Sequence, residues 1–395
     1  MPAYNVGVPA ENGPIPVSGS ADVVVIGGGI AGCATAYYLA LAGAQVTLFE
    51  QFDLNTQGSG RNAGSLHGQL AMAAFLQLGD QWARDFEPAM LFLTESLRLW
   101  AALSEELGTD LEVVTNGGLL VAETPGQLRD IERKVAIEAG FGLPVQLLSP
   151  AELRATAPYL AGHMAGAGFC PAEGKANPLV ATTAFGRAAI RHGATVRTWT
   201  PVLSVEREGP GFRVRTAAGD IRCERVVCAA GENMTGIAAG FGTRLPITSE
   251  PIQASVTEPV APLIRHLVYF AGAPLTLKQA KAGTLLIGGG WPARHGADGS
   301  WTTDPASLRA NLQVARMVVP AVGRAQVIRT WTGVVLGTPD HRPIIGELPG
   351  VPGLLVGMVP QMGFTGGPLL GRTLADLALG MSPGRDLSPF AADRF

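Results

Sequence analysis

Asp22-Val23-Val24-Val25-Ile26-Gly27-Gly28-Gly29-Ile30-Ala31-Gly32, with Glu50 further on, is the stretch whose reading decides the fold. The run of β-branched residues reads as a strand buried on both faces. It stops at Gly27-x-Gly29-x-x-Gly32. Residues 30–42 (IAGCATAYYLALA) then read as a helix with Gly43 as its stop. Gln45 to Glu50 is the next strand. Gly27 permits a tight turn, Gly29 lets the backbone approach a pyrophosphate, and Gly32 lets helix and strand pack closely. The helix start at Ile30 and Ala31 supplies partial positive charge. Glu50, eighteen residues after Gly32, is spaced to accept hydrogen bonds from a ribose hydroxyl, with Gln51 beside it. A lone GxGxxG is a weak signal. Strand, glycines, helix, second strand and acid in correct order read as a dinucleotide-binding unit.

The rest of the composition narrows the class. The chain has 395 residues, enough for two packed domains, and is 47% hydrophobic but only 15% charged. The usual charged share is about 25%, so much of the chain is core or interface. The net charge of −3 carries no basic run and argues against nucleic acid as a partner. Residues 1–20 show neither a basic nor an apolar leader region and read as an arm. No stretch approaches the length of a membrane span. Cys33, Cys170, Cys223 and Cys228 have no CxxC spacing; they read as buried free thiols and point to a cytoplasmic setting.

Working outward, residues 58–69 (GSGRNAGSLHGQ) have the small, polar character of a loop that wraps a ligand, or of an ordinary surface loop. Ser59, Arg61, Asn62, Ala63, Gly64, Ser65 and Leu66 are its candidate contacts. Residues 88–107 read as an amphipathic core helix, with Leu93, Leu97, Trp100 and Leu107 on one stripe. Thr124-Pro125-x-Gln127 and Ser149-Pro150-x-Glu152 are capping boxes that open two further helices. Val226 to Gly231 reads as a buried strand beside the first one. That arrangement brings Ala229, Ala230 and Gly231 to the ligand edge, with Val202 at the head of a short strand nearby. Between about 240 and 328, prolines punctuate alternating strands, including a hairpin of 276–279 with 284–291. This reads as a second, largely antiparallel domain closed by a helix over about 307–319. The chain then returns to glycine-rich α/β style through Gly333 and Thr338-Pro339-Asp340. Gln361-Met362-Gly363-Phe364-Thr365-Gly366-Gly367-Pro368 opens a last helix expected at 368–380. Such a helix start can stabilise negative charge, as at the N1/O2 edge of a reduced flavin.

Together these pieces resemble the D-amino-acid oxidase/sarcosine oxidase superfamily of FAD enzymes. The matching residues are Gly27-x-Gly29-x-x-Gly32…Glu50, Ser59-Gly-Arg61-Asn62-Ala63-Gly64, Val226–Gly231, Thr338-Pro-Asp340…Pro343-Ile-Ile-Gly346 and Gly363–Pro368. The resemblance implies an α/β fold: a Rossmann-like FAD-binding domain of glutathione-reductase type with an interleaved, mainly antiparallel α+β substrate domain. The expected division is 1–87, 151–240 and 329–395 for the FAD-binding part, and 88–150 and 241–328 for the substrate part. It also implies oxidation of a C–N bond, with hydride passing to flavin N5 and the imine then hydrolysed.

Arg61–His67, Glu173-Gly-Lys175-Ala-Asn177-Pro178 and Leu277-Lys278-Gln279…Ile287–Trp291 are most similar to β subunits of hetero-oligomeric opine, D-hydroxyproline, L-proline and sarcosine dehydrogenases. These imply noncovalent FAD, an FMN near a subunit boundary, and flavin-bearing α and ferredoxin-like γ partners. A self-sufficient oxidase and a silent electron-transfer scaffold are the alternatives. Two departures stand out. Trp331-Thr-Gly333-Val334-Val335 has valine where single-chain oxidases of this type carry a carboxylate-binding arginine. Asn177 stands where tetrameric sarcosine oxidases carry the histidine that attaches FMN.

Two residues are candidate catalytic groups. Lys278, mid-strand in an apolar context, is placed to bind a substrate carboxylate or perturb the flavin; the plain alternative is an edge-strand lysine. His67 has an ordinary pKa in the working range and is a candidate to act near the substrate amine, or is a structural histidine.

Overall fold

The computed structural model describes residues 17–297 and 300–395; most of the expected N-terminal arm, residues 1–16, lies outside the described residues. The β-branched run forms the strand Ser20–Ile26, paired in parallel with Val46–Phe49 on one side and Gly219–Cys228 on the other. Thr195–Arg197 and Val351–Met358 extend this sheet in parallel at its two flanks. Ile344–Leu348 then adds antiparallel to Val351–Met358. Val202–Glu208 and Gly211–Thr216 complete eight strands as an antiparallel extension. This is the doubly wound α/β arrangement expected for a dinucleotide site.

Helix Ile30–Leu41 follows the first glycines and ends near Gly43, whose φ of +87° suits a glycine stop. Against it lies the C-terminal helix Gly363–Ala378. The two approach closely because their facing residues are small. A Cβ on Gly367 would sit 2.4 Å from Ile30 Cγ2, and one on Gly371 2.4 Å from Ala34 Cβ. The consequence is positional: the N-termini of both helices open toward the same region.

A second eight-stranded sheet runs in the order Val327–Gly337, Thr248–Pro259, Thr284–Pro292, Thr276–Gln279, Leu267–Phe270, Gly118–Ala122, Gly166–Cys170, Gln146–Leu148. It is antiparallel except where Leu267–Phe270 meets Gly118–Ala122. Two of its strands lie in segments expected to belong to the first part. Gly166–Cys170 sits inside 151–240; its small residues let helix Pro125–Gly140 lie on it, a Cβ at Gly168 coming 3.0 Å from Ile131 Cγ2. Val327–Gly337 pairs along almost the whole of Thr248–Pro259. That pairing carries the glycine-rich segment around Gly333 into the second sheet.

The last helix also starts earlier than expected, at Gly363 rather than Pro368. Proline usually marks the first turn. Here the residues before it are held helical from outside: Ser96 Oγ and Trp100 Nε1 both donate to the Thr365 carbonyl, at 2.6 and 2.9 Å. Both capping boxes form as read, at Thr124/Gln127 and Ser149/Glu152. All four cysteines are free and buried. Among the described residues no helix is long and apolar enough to cross a membrane.

Candidate active site

The first end of the site is built by glycines. Gly27 has φ +111°, and a Cβ there would lie 2.5 Å from the Ala229 carbonyl oxygen. At Gly32 a Cβ would lie 1.9 Å from the Gly27 carbonyl oxygen. Both positions therefore exclude any side chain, as a tight turn and close helix packing require. Gly29 faces Ser59, whose Oγ accepts the Ile30 N–H at 2.9 Å. The helix has no side-chain cap and no acid in its first turn, so the N–H groups of Ala31 and Gly32 have no partner within the helix. Glu50 directly follows the strand Val46–Phe49, its carboxylate accepting from Gly28 N at 2.6 Å and Phe52 N at 2.9 Å. Exposed Gln51 follows. Thr200 N donates to the Glu50 carbonyl at 2.9 Å, which brings the chain leading to half-buried Val202 against this end. Ala229, Ala230 and Gly231 leave the strand Gly219–Cys228 on the same side, with Ala229 N bonded to the Ile26 carbonyl at 2.9 Å.

The wrapping loop is braced by its own side chains. Asn62 Oδ1 accepts Gly64 N at 2.7 Å and Asn62 Nδ2 donates to the Ser59 carbonyl at 2.5 Å. Arg61 Nε donates to the Thr56 carbonyl at 2.8 Å, and Trp331 Nε1 donates to the Arg61 carbonyl at 2.7 Å. Gly333 passes next to Arg61, a Cβ there lying 3.2 Å from Arg61 Cβ. Ala63 is half-buried. Gly64, at φ +77°, leads into Ser65–Leu66, a two-residue strand paired with Gly174–Lys175.

The C-terminal helix closes this region. Thr365 Oγ1 accepts His67 N at 3.0 Å and donates to the Ser65 carbonyl at 3.3 Å. Phe364 packs at a tilt against Trp100, ring centres 4.9 Å apart. Met362, Gly363 and Gly366 flank Thr365, and Gln361, at φ +55°, turns the chain into the helix and meets His341 Nδ1 through its amide at 2.9 Å. The Asp340 carboxylate is held by Arg342 and Arg394, each at 2.9 Å. Burial pushes that carboxyl up, but the two guanidinium groups outweigh it and hold it below the usual range.

Thus residues from the first glycines, the 59–67 loop, the strand end at 229–231 and the 361–366 helix start are brought to one side of the molecule. A model of the FAD-dependent oxidoreductase family matches residues 22–377. The chain belongs to that family. It is 28% identical over 384 residues to a glycine oxidase of Geobacillus kaustophilus, covering 94% of this chain and 97% of that protein. It is 29% identical over 388 residues to a sarcosine oxidase β subunit of an Arthrobacter species, covering 95% and 91%. Among solved structures, L-proline dehydrogenase from P. horikoshii superposes with a TM-score of 0.83 at 26% identity, covering 96% of this chain and 98% of that one.

Within this FAD-dependent oxidoreductase, both candidate catalytic residues lie beside the wrapping loop. Lys278 is 1% exposed on the strand Thr276–Gln279, and its Nζ donates to Ser65 Oγ at 2.5 Å. Among the described residues no carboxylate pairs with it. It is therefore not a surface edge lysine. Burial, and secondarily the Lys175 charge, bring its pKa down to about 7. His67 contradicts the expectation of a working-range titration. Burial, and then the Lys278 charge, hold its pKa at about 3, so the ring is neutral.

Several residues of the site were not assigned from the sequence. Tyr269 Oη lies 2.7 Å from His67 Nδ1. Glu173 is fully buried and accepts Gly68 N, Gln69 N and Gln69 Nε2 at 2.6, 2.8 and 2.8 Å. Lys134 and Glu138 form a fully buried ion pair at 2.7 Å. Glu173 and Lys175 stood in a quoted motif, but nothing local marked the acid as buried. Asn177, at the position of the expected FMN-linking histidine, caps helix Pro178–Arg191 by accepting Leu179 N at 3.0 Å.

Proposed function

We propose that this chain oxidises the C–N bond of a secondary-amine amino acid, of opine, D-hydroxyproline, proline or sarcosine type, as the catalytic β subunit of a hetero-oligomeric dehydrogenase. The observation that carries the reading is Lys278, a buried lysine beside His67 with no anion of its own among the described residues. An ammonium has three donors, and Ser65 takes one. A substrate carboxylate supplies the missing counter-ion, which fits the valines at 334 and 335 where an arginine would otherwise do this work.

The residues fit FAD. The uncapped helix start at Gly29–Gly32 suits a pyrophosphate, and Glu50 with Gln51 a ribose. The loop Ser59–Leu66, Val202, Ala229–Gly231, Gly333 and the helix start Gln361–Gly366 would hold the remainder; Asp340 serves by fixing the turn before Arg342. Bound FAD supplies the two-electron acceptor for hydride from the carbon next to nitrogen. The chain's own residues do the positioning. Lys278 holds the carboxylate, and neutral His67 faces the amine without taking its proton: an amine of pKa about 9–10 does not protonate a ring held at about 3. Water then hydrolyses the imine.

The likeness to glycine oxidase favours a second reading, a self-sufficient oxidase that passes electrons to oxygen. Anaerobic titration of the FAD-loaded chain with opines, imino acids, sarcosine and glycine tests the chemistry. A secondary amine is expected to bleach the flavin, and no bleaching by any of them refutes oxidation and leaves a scaffold. Turnover with an artificial acceptor but not oxygen supports the dehydrogenase; peroxide release supports the oxidase. The low charged fraction and the sarcosine oxidase β subunit likeness support α and γ partners and an FMN at their boundary, which co-purification and flavin analysis would test. The four buried thiols suit a reducing, cytoplasmic compartment.

A further inference from the structure

The chain leaves the two-residue strand Ser65–Leu66 and gives its next four N–H groups to side chains from distant parts of the molecule. His67 N donates to Thr365 Oγ1 at 3.0 Å. Gly68 N and Gln69 N both donate to Glu173 Oε1, at 2.6 and 2.8 Å. Leu70 N donates to Glu138 Oε1 at 2.6 Å. Successive N–H groups converging on one oxygen are the arrangement with which a backbone turn binds a free anion. Here the anion is the protein's own, fully buried carboxylate. Its other oxygen, Oε2, accepts Gln69 Nε2 at 2.8 Å. The Gln69 amide cannot turn over, because Lys134 Nζ lies 3.2 Å from Gln69 Oε1 and a lysine only donates. Lys134 is itself held by Glu138 at 2.7 Å. Gly118 makes room for the Glu173 carboxylate: a Cβ there would lie 1.8 Å from Oε2. Burial pushes the Glu173 pKa up, and the donors around it oppose the push.

We infer that Glu173 is a positioning residue: seated in the Gly68 and Gln69 N–H groups, it sets the turn that carries His67 and, just before it, the Ser65 hydroxyl that holds Lys278. The effect on catalysis rests on the proposed amine oxidation; the seating does not. The backbone around Glu173 suits this role. Glu173 directly precedes the strand Gly174–Lys175, which pairs with Ser65–Leu66. Its side chain continues past Leu66 the grip that the paired strand has on Ser65 and Leu66. Its own carbonyl accepts Gly117 N at 2.9 Å, at the start of the strand Gly118–Ala122 of the second sheet. Glu173 therefore registers the loop that bears His67 against the sheet that bears Lys278. A transfer that needs no acid–base step depends on that alignment.

The test is a reciprocal swap at positions 173 and 69. Glu173→Gln replaces an acceptor by an NH2 that meets the NH2 of Gln69, and turning either amide only moves the clash to Lys134 or to the backbone N–H groups. Adding Gln69→Glu restores a donor facing an acceptor at every step from Lys134 to Gly68, with the total charge unchanged. Hydrogen–deuterium exchange of the FAD-loaded protein reads the turn. The amides of residues 67–70 should exchange about tenfold faster in Glu173→Gln and return to about the wild-type rate in the double variant. For the amine that bleaches the flavin, kcat/KM should fall about tenfold in Glu173→Gln with FAD content unchanged, and recover to within about threefold in the double variant. Unchanged exchange at 67–70 in Glu173→Gln, or a double variant that recovers no protection, overturns the seating. If Glu173→Gln alone does not fold, a double variant that folds and binds FAD upholds the seating, and one that does not overturns it. Faster exchange with unchanged kcat/KM overturns the positioning role, because a side chain that only supports the fold moves the first and not the second. The expected exchange in a protein whose flavin no amine bleaches upholds the seating and overturns the proposed reaction instead.

Discussion

Replacing Lys278 with methionine should stabilise the protein at low pH while damaging its function. The folded chain lowers the Lys278 pKa from 10.5 to about 7. At about 1.4 kcal/mol per pH unit this corresponds to about 5 kcal/mol held against the ammonium. The unfolded chain binds this proton below about pH 10.5, the folded chain only below about pH 7. Between those values the unfolded state carries more protons, so stability rises with pH across the window. Below about pH 7 the full penalty is present, and above about pH 10.5 it is gone. Methionine removes the penalty but also the hydrogen bond to Ser65 Oγ, about 1 kcal/mol. The variant should therefore gain about 4 kcal/mol at pH 6, about 2 at pH 8.5, and nothing near pH 10.5.

Guanidinium unfolding of the FAD-saturated proteins at these pH values measures the difference. Affinity for an unreactive carboxylate analogue should fall about tenfold per pH unit above about pH 7 in the wild type and stay flat in Lys278→Met. At pH 8, binding should take up about 0.9 proton per site, since about nine-tenths of Lys278 is neutral beforehand. A gain that is independent of pH, or larger at pH 9 than at pH 6, would show that Lys278 is not a buried ammonium awaiting an anion. The trade is the expected one: a site that holds a charge in readiness stores instability.

Other substitutions test the frame. Gly32→Ala places a Cβ 1.9 Å from the Gly27 carbonyl oxygen, and should leave a folded chain with a sharply lowered flavin-to-protein absorbance ratio. Lys134→Met strands the Glu138 carboxylate in a site with no exposure and should cost about 3–5 kcal/mol in chemical unfolding; adding Glu138→Leu should recover more than half. Arg394→Met removes one of two cations from a partly exposed Asp340, and should cost about 1 kcal/mol or less, because solvent screens the pair. That loss should vanish as pH falls through the depressed Asp340 pKa, where the carboxylate is neutralised in either protein.

What could be read beforehand, and what could not, follows from how local each constraint is. Gly32 is demanded by the Gly27 carbonyl close by in the chain, and Gly27 and Gly64 by their own positive φ, so their spacing survives as a motif. The capping boxes at Thr124 and Ser149 are equally local. The start of the last helix was not, because the Thr365 carbonyl is fixed by Ser96 and Trp100 from 265 and more residues away. Lys134 and Glu138 have the i,i+4 spacing of a solvated surface pair; only the fold makes them a buried anchor for Gln69 and, through it, Glu173.

The two titratable candidates show the same point in sharper form. Their identities were legible, since a lysine in an apolar strand and a histidine after a wrapping loop are both conspicuous. Their chemistry was not, because an ordinary pKa is a property of a residue in water. Burial acts on both in the direction of neutrality, and the Lys278 charge pushes His67 further the same way. The histidine, whose ordinary value suggested a proton carrier, becomes a neutral ring. The lysine, whose ordinary value suggested a permanent cation, becomes the group that titrates near neutrality. A site arranged this way sorts the substrate by charge: the carboxylate draws a proton onto Lys278, while the neutral His67 ring gives no proton back to an amine that has lost its own to solvent, the form that reacts.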